Sequence, residues 1–180
     1  MGLFDRLFGG GKKKKRSKET VQTRGVHMPD LKIPVDEKFT IQFKKNGGKF
    51  IYCDSFDEVL EGLRNIIEEN HWQQVPFYSL NESLEKRFDK EQIRFTRKAS
   101  ESEVFFTTCE HLVAQNGSIL VSSNQLLEKK LNEIPENIIV FATTSQLVDT
   151  IGEGLKTMKK KYKPRIPGNI TTLKHFQPSS

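Results

Sequence analysis

The polar segment Gln115-Asn116-Gly117-Ser118 carries residue types that could bind a small anion. Side-chain amides, a hydroxyl and the backbone N–H groups of a glycine turn can all donate hydrogen bonds to a carboxylate or a phosphate. A plain turn that leads into a strand is the alternative. Two hydroxyls follow a later predicted strand and could join such a site. The candidate ligand-binding residues are therefore Gln115, Asn116, Gly117, Ser118, Thr143 and Thr144.

Glu110 is the candidate for acid–base catalysis, because a partly buried carboxylate can act as a general base. No histidine or second carboxylate stands at a spacing that would complete such a site, so a surface acid is the alternative. Ser122 lacks the G-x-S-x-G turn of a nucleophilic serine. No Walker A or Rossmann glycine motif stands in the strand–turn–helix setting that it needs, so no cofactor is predicted.

The two cysteines predict no metal site. Cys53 and Cys109 are far apart, neither belongs to a C-x-x-C motif, and the run Cys109-Glu110-His111 is too compressed to chelate a metal. Two reduced thiols are typical of a protein in a reducing compartment, which favours the cytoplasm.

Apolar periodicity predicts the elements that must position these side chains. The clearest helix begins at a capping box, Ser55-Phe-Asp-Glu58. Residues 103–114 fit either a strand or a helix. Residues 34–46 favour a helix over a strand. Further helices are predicted over 81–88 and from Thr144 or Ser145 to the prolines at 164 and 167, and strands over 49–53, 74–78, 93–96, 118–122 and 137–142.

Alternating strands and helices predict an α/β fold with layers around a largely parallel sheet. Ligands of such folds bind outside the carboxyl ends of the strands, which is where both candidate loops lie. The predicted organisation is a basic N-terminal tail over 1–24, a linker over 25–35, the α/β domain over 36–170 and a C-terminal tail over 171–180.

Charge separates the ends of the chain from its middle. The formal net charge is +6, with eight bases and two acids in residues 1–24, 14 bases and 21 acids in residues 25–155, and seven bases and no acid in residues 156–180. Basic ends on an acidic domain argue against a specific nucleic-acid binder. No apolar run approaches the ~18–20 residues of a membrane span.

The first 16 residues combine a short apolar face with a polybasic run. This pairing is typical of segments that bind an anionic membrane surface, whereas a solvated basic tail is the alternative. The predicted location is the cytoplasm, with the inner face of the membrane as the contact surface. The candidate membrane contacts are Leu3, Phe4, Leu7, Phe8, Lys12, Lys13, Lys14, Lys15 and Arg16.

Residues 110–151 resemble the LUD (lactate utilisation) domain family. That family carries an A-E-T-G-T-I/V segment, with an acidic residue five positions before its Glu. Here the segment reads Ala114-Gln-Asn-Gly-Ser-Ile119, and Glu110 stands at the acidic position. Similar spacing continues through Ile134–Val140 and Leu147-Val148, so that the resemblance spans roughly residues 35–170.

The resemblance implies a three-layer fold similar to the CoA-transferase and ribose-5-phosphate-isomerase superfamily. It also implies a bacterial, cytoplasmic role in oxidising lactate to pyruvate beside iron–sulfur partner proteins. The chain departs from the family because Gln115 replaces the family Glu and the segment Gly168–Leu173 lacks the family Arg.

We therefore expect an accessory or small-ligand-binding component in the use of lactate or a related organic acid. One alternative is an enzyme that acts on a small carboxylate, CoA or phosphorylated substrate. Another alternative is an interaction module that is recruited to a membrane surface.

Overall fold

The computed structural model describes residues 33–176. In this range the chain forms five α-helices and eight short strands. The helices are α1 (Val35–Lys45), α2 (Phe56–Glu69), α3 (Glu82–Arg87), α4 (Ser123–Leu126) and α5 (Ile151–Tyr162). The strands are β1 (Phe77–Tyr78), β2 (Phe95–Thr96), β3 (Val104–Thr107), β4 (His111–Val113), β5 (Ser118–Val121), β6 (Asn137–Val140), β7 (Leu147–Val148) and β8 (Thr171–Leu173).

A four-stranded parallel sheet lies at the centre, in the order β2-β1-β3-β6. All four residues of β3 are buried, as expected for a strand that is covered on both faces. Phe77, Val104 and Phe106 pack with Leu63 of α2 on one face of this sheet. The opposite face packs against α1, α4 and a second sheet. These layers confirm the predicted α/β fold with its parallel sheet.

The second sheet has the order β7-β4-β5-β8 and mixed strand directions. β4 and β5 form an antiparallel hairpin, whereas β7 pairs with β4 in the parallel direction. Met158 of α5 packs with Val113 and Leu120 on the outer face of this sheet. The region 103–114, which the sequence left open between strand and helix, therefore splits into two strands that belong to different sheets.

The helix that was favoured over 34–46 forms as α1, and two further helix predictions hold because a residue caps the start of each helix. α2 begins where Ser55 Oγ accepts a hydrogen bond from the Glu58 backbone N–H at 3.2 Å. α3 begins in the same way, because Asn81 Oδ1 accepts from the Leu84 N–H at 3.0 Å. An N-cap of this kind satisfies a backbone donor that the helix itself cannot satisfy.

Three expectations need correction. Residues 49–53 form no strand, and Ile51 and Tyr52 are exposed there. The last helix begins at Ile151 and not near residue 145, because residues 147–148 pair with β4 as β7. The predicted C-terminal tail from residue 171 begins with β8, whose three residues pair with β5.

The tail over 1–24 and most of the linker over 25–35 lie outside the described residues, as do the nine candidate membrane contacts. No described helix is long and apolar enough to cross a membrane.

Candidate functional site

Glu110 lies in a buried polar cluster at the start of β4, with 6% of its surface exposed. Its Oε1 accepts hydrogen bonds from Ser122 Oγ at 2.6 Å and from Asn124 Nδ2 at 2.8 Å. Its Oε2 accepts one from the Tyr162 hydroxyl at 2.8 Å. One carboxylate therefore joins the start of β4, the first turn of α4 and the last residue of α5.

The surroundings of Glu110 favour its ionised form. Burial raises the pKa of its carboxyl, but the hydrogen bonds from Ser122, Tyr162 and Asn124 outweigh burial and hold this pKa below its usual range. A general base works best when its pKa lies near the working pH. Glu110 therefore has the properties of a fixed buried anion, and it is poorly suited to accept a proton from a substrate.

The Ser122 hydroxyl serves the same cluster. It donates to Glu110 and accepts from the Asn124 backbone N–H at 3.1 Å. Gln125 Oε1 accepts from the Ser122 N–H at 2.9 Å, which completes a capping box at the start of α4. Because Ser122 is fully buried and its hydroxyl has both partners, it is a structural group and not an exposed nucleophile.

The turn that was predicted to bind an anion is held by hydrogen bonds within the protein. Asn116 Oδ1 accepts from the Ser118 backbone N–H at 3.1 Å and from Ser118 Oγ at 2.7 Å. Asn46 Nδ2, at the end of α1, donates to the Asn116 carbonyl at 2.7 Å. Ser118 is fully buried, whereas Gln115 is exposed.

Gly117 is required where α1 crosses this turn. Its φ is +65°, and a Cβ at this position would lie 2.4 Å from the Gln42 carbonyl carbon and 2.4 Å from the Phe43 nitrogen. Such distances leave no room for a side chain. The residues Gln115, Asn116, Gly117 and Ser118 form one turn, and α1 packs directly against it.

The second predicted loop is a 3-10 turn over Thr144–Gln146. Thr143 Oγ1 lies 2.8 Å from Ser145 Oγ, and the Thr143 N–H donates to Gln146 Oε1 at 2.8 Å. Gln146 Nε2 in turn donates to the Cys109 carbonyl at 2.5 Å, which fixes the loop beside the end of β3. Thr144 faces an adjacent cleft, so that the two predicted threonines have different surroundings.

This cleft is open to solvent and has a volume of about 690 Å³. Lys38 of α1 forms an ion pair with Asp149 at 2.5 Å beside it. Polar side chains of both charges line it together with apolar residues of β7. The lining residues are Val35, Asp36, Thr144, Leu147, Val148, Asp149, Glu153, Lys156 and Thr157.

A comparison of the sequence with protein families matches residues 37–179 to the LUD domain. This chain belongs to the LUD domain family. The match covers both sheets, the Glu110 cluster and all the cleft residues except Val35 and Asp36. Membership indicates a role related to lactate utilisation. No curated protein and no solved structure matches the chain.

The family segment of this LUD domain spans the β4–β5 hairpin. Ala114 and Ile119 are buried at its two ends, and the turn between them has Gln115, Asn116 and Ser118 where the family has Glu and two Thr residues. An ionisable carboxylate at position 115 would lie on the exposed side of this turn.

Both thiols of this LUD domain have a raised pKa, which disfavours the reactive thiolate form. Burial, followed by the nearby Glu110 charge, raises the pKa of Cys109 to about 12. Burial and the charges of Glu58 and Asp54 also raise the pKa of Cys53. Within residues 33–176, no three His, Cys, Asp or Glu side chains converge in an arrangement that could hold a metal ion.

Sequence reasoning found Glu110 but missed the residues that bind it. Tyr162 stands 52 positions later, and no spacing links the two. The start of α5 could have been found, because Thr150-Ile-Gly-Glu153 has the S/T-x-x-E capping pattern. Thr150 Oγ1 indeed accepts from the Glu153 N–H at 3.2 Å, and Glu153 Oε2 accepts from the Asp149 N–H at 2.9 Å.

Proposed function

We propose that this LUD-domain protein is an accessory, small-ligand-binding component in the use of lactate or a related organic acid. The observation that carries the proposal is that both oxygens of the buried Glu110 carboxylate are already held by hydrogen-bond donors of the protein, namely Ser122, Asn124 and Tyr162. A catalytic carboxylate must keep an oxygen available for the proton that it removes. The family membership supplies the metabolic context, and the Glu110 geometry favours an accessory role over catalysis at this residue.

The cleft beside β7 is the proposed ligand site. The hydroxyls of Thr144 and Thr157 and the ammonium group of Lys156 are the kinds of donor that a small organic acid requires, and Leu147 and Val148 supply apolar surface. Three carboxylates line the same cleft, namely Asp36, Asp149 and Glu153. They oppose binding of an anion, so we expect selectivity for small acids with few negative charges.

Thermal-shift measurements with lactate, CoA esters and sugar phosphates test the ligand. We expect lactate or a related monocarboxylate to raise the midpoint temperature, and we expect Lys156→Met to abolish that shift. Lys90→Met is the matched control, because Lys90 is exposed and does not line the cleft. If no compound shifts the midpoint, the ligand-binding part of the proposal is wrong.

Reconstitution tests the accessory role. Iron–sulfur proteins of lactate oxidation are the proposed partners, and lactate-dependent dye reduction by them would be measured with and without this chain. We expect the chain to increase the rate and Glu110→Gln to retain that effect at a temperature where it is folded. A loss of about 10²-fold or more in folded Glu110→Gln would identify Glu110 as a catalytic base and refute the accessory role.

We also propose that the N-terminal segment recruits the protein to the inner face of the membrane. The support is its pattern of four apolar residues followed by four lysines and an arginine. Each base near an anionic surface contributes about 1 kcal/mol. Flotation with anionic vesicles should fall when Leu3, Phe4, Leu7 and Phe8 are replaced by Ser, and equal flotation of the two proteins would refute this recruitment.

A further inference from the structure

The loops after α4 and α5 leave four apolar residues about half exposed to solvent. Asn169 Nδ2 donates to the carbonyls of Leu127 at 3.0 Å and Lys129 at 2.9 Å, and the Ser123 N–H donates to the Gly168 carbonyl at 2.8 Å. These bonds fasten the segment after α5 to the turn after α4. The loop patch, as we name it, consists of Leu127, Leu131, Ile166 and Ile170, which are 51%, 41%, 43% and 41% exposed.

Leu127 adopts a backbone conformation that normally belongs to glycine. Its φ is +51° and its ψ is −126°, and the Lys129 N–H donates to the Leu126 carbonyl at 2.9 Å. These values match the first central position of a type II′ turn, where glycine predominates. A leucine here is strained and yet half exposed, so burial in the folded monomer does not account for it.

The loop patch is bordered by positive charge. Lys129 and Lys130 lie between its two leucines, and Lys163 and Arg165 precede its first isoleucine. All four bases are exposed. Two acids stand in the same turn, namely Glu128 and Glu133, and Glu133 Oε2 accepts a hydrogen bond from the Lys130 N–H at 2.7 Å. On the isoleucine side of the patch, residues 163–170 carry two bases and no acid, so the charge there is positive.

We propose that the loop patch docks onto an anionic membrane surface. Exposed apolar side chains between lysines and an arginine match the two layers of such a surface, because apolar groups enter the acyl boundary while bases contact the headgroup phosphates. The strained Leu127 is then explained as a residue that is presented to the lipid. This contact is separate from the proposed N-terminal recruitment and adds a second, folded attachment point.

Vesicle co-sedimentation of the full chain tests the docking. The parent protein carries Leu3→Ser, Phe4→Ser, Leu7→Ser and Phe8→Ser, so that the N-terminal apolar face no longer contributes. We expect this parent to bind vesicles of phosphatidylcholine with phosphatidylglycerol, and to bind phosphatidylcholine alone much more weakly. Leu127→Gly and Ile170→Asn should each reduce binding to the anionic vesicles by about fivefold to tenfold.

Leu127→Gly separates lipid contact from folding. Because it relieves the positive φ, we expect it to keep or raise the midpoint temperature, by up to about 4 °C, while it weakens vesicle binding. Ile51→Asn is the matched control, since Ile51 is 56% exposed but lies outside the loop patch, and it should leave binding unchanged.

Three outcomes would overturn the proposal. The first is a parent that does not bind anionic vesicles. The second is a Leu127→Gly variant that binds as well as the parent does. The third is a Leu127→Gly variant that binds less only in proportion to a lowered midpoint temperature, because that result would show a structural role for the leucine.

Discussion

Replacing Glu110 by Gln tests whether a buried anion holds together the start of β4, the first turn of α4 and the end of α5. The substitution keeps the shape of the side chain and removes its charge. The new amide oxygen can accept from Ser122 and Asn124, and the new amide N–H group can donate to the Tyr162 oxygen. Glu110→Gln therefore changes the strength of the hydrogen bonds more than their number.

The expected loss follows from the three hydrogen bonds. A hydrogen bond to a charged group contributes about 1.5–3 kcal/mol and a neutral one about 0.5–1.5 kcal/mol. Burial of the charge offsets part of this gain, so we expect Glu110→Gln to lower the free energy of unfolding by about 2 kcal/mol at neutral pH. Glu110→Ala leaves three donors without their acceptor and should cost about 3–5 kcal/mol.

The dependence on pH gives a sharper criterion. The pKa of Glu110 in the folded protein lies below its ordinary value, which is about 4.3 in an unfolded chain. The stabilisation from its charge is therefore complete above about pH 4.3 and is lost as the pH falls through the folded-state pKa. The difference between the wild type and Glu110→Gln should be constant between about pH 7 and pH 5 and should shrink below about pH 4.

Urea unfolding provides the measurement. Trp72 packs against Phe77 with ring centroids 6.3 Å apart, so its fluorescence should report on the core beside β1, and circular dichroism follows the helices. Glu136→Gln is the control, because Glu136 is exposed. Equal stability of the wild type and Glu110→Gln at pH 7, or a difference that does not change with pH, would refute the reasoning.

Three further predictions concern packing, reactivity and the end of α5. Gly117→Ala should lose about 2–4 kcal/mol because its Cβ would lie 2.4 Å from the α1 backbone, whereas Gly152→Ala, in open helix surface, should gain up to about 1 kcal/mol; urea unfolding that ranked the pair in the reverse order would contradict this packing. Labelling of native protein with a thiol reagent near pH 7.5 should modify Cys53 slowly and Cys109 only on unfolding, because burial raises the pKa of Cys109 to about 12; rapid modification of Cys109 in folded protein would show that the core around it opens readily. Tyr162→Phe removes one donor to the buried carboxylate and should cost about 1–2 kcal/mol at pH 7 in the same unfolding assay; an unchanged stability would show that α5 is held by its apolar contacts alone.

Local chemistry accounts for the parts of the fold that could be predicted. The helix after Ser55 and the short helix after Asn81 are marked by side chains that cap their own first turns, and such caps act over three residues. The segment over 49–53 has the composition of a strand, but Ile51 and Tyr52 remain exposed and pair with no sheet. A strand needs a partner edge, and the composition of a segment does not show whether one is available.

The candidate site likewise has parts that could be predicted from the sequence and parts that could not. Glu110 and the Gln115–Ser118 turn could be found from residue types and spacing. The partners of Glu110 could not, because Tyr162 reaches it only after α5 has packed on the second sheet. The packing of α1 against Gly117 was also beyond prediction, since it depends on contacts between residues more than 70 positions apart.

By itself the sequence determined the α/β class, the starts of α2 and α3, the uneven distribution of charge and the family, because each depends on residue types or on spacing along the chain. Only the tertiary structure decided that a second sheet forms, that Glu110 is a buried anion held by three hydrogen bonds, and that the open cleft lies beside β7. It also decided that Leu127 and Ile170 share one exposed surface. These properties arise from contacts between distant residues, and the burial and hydrogen bonding of a side chain are set by the elements that pack around it.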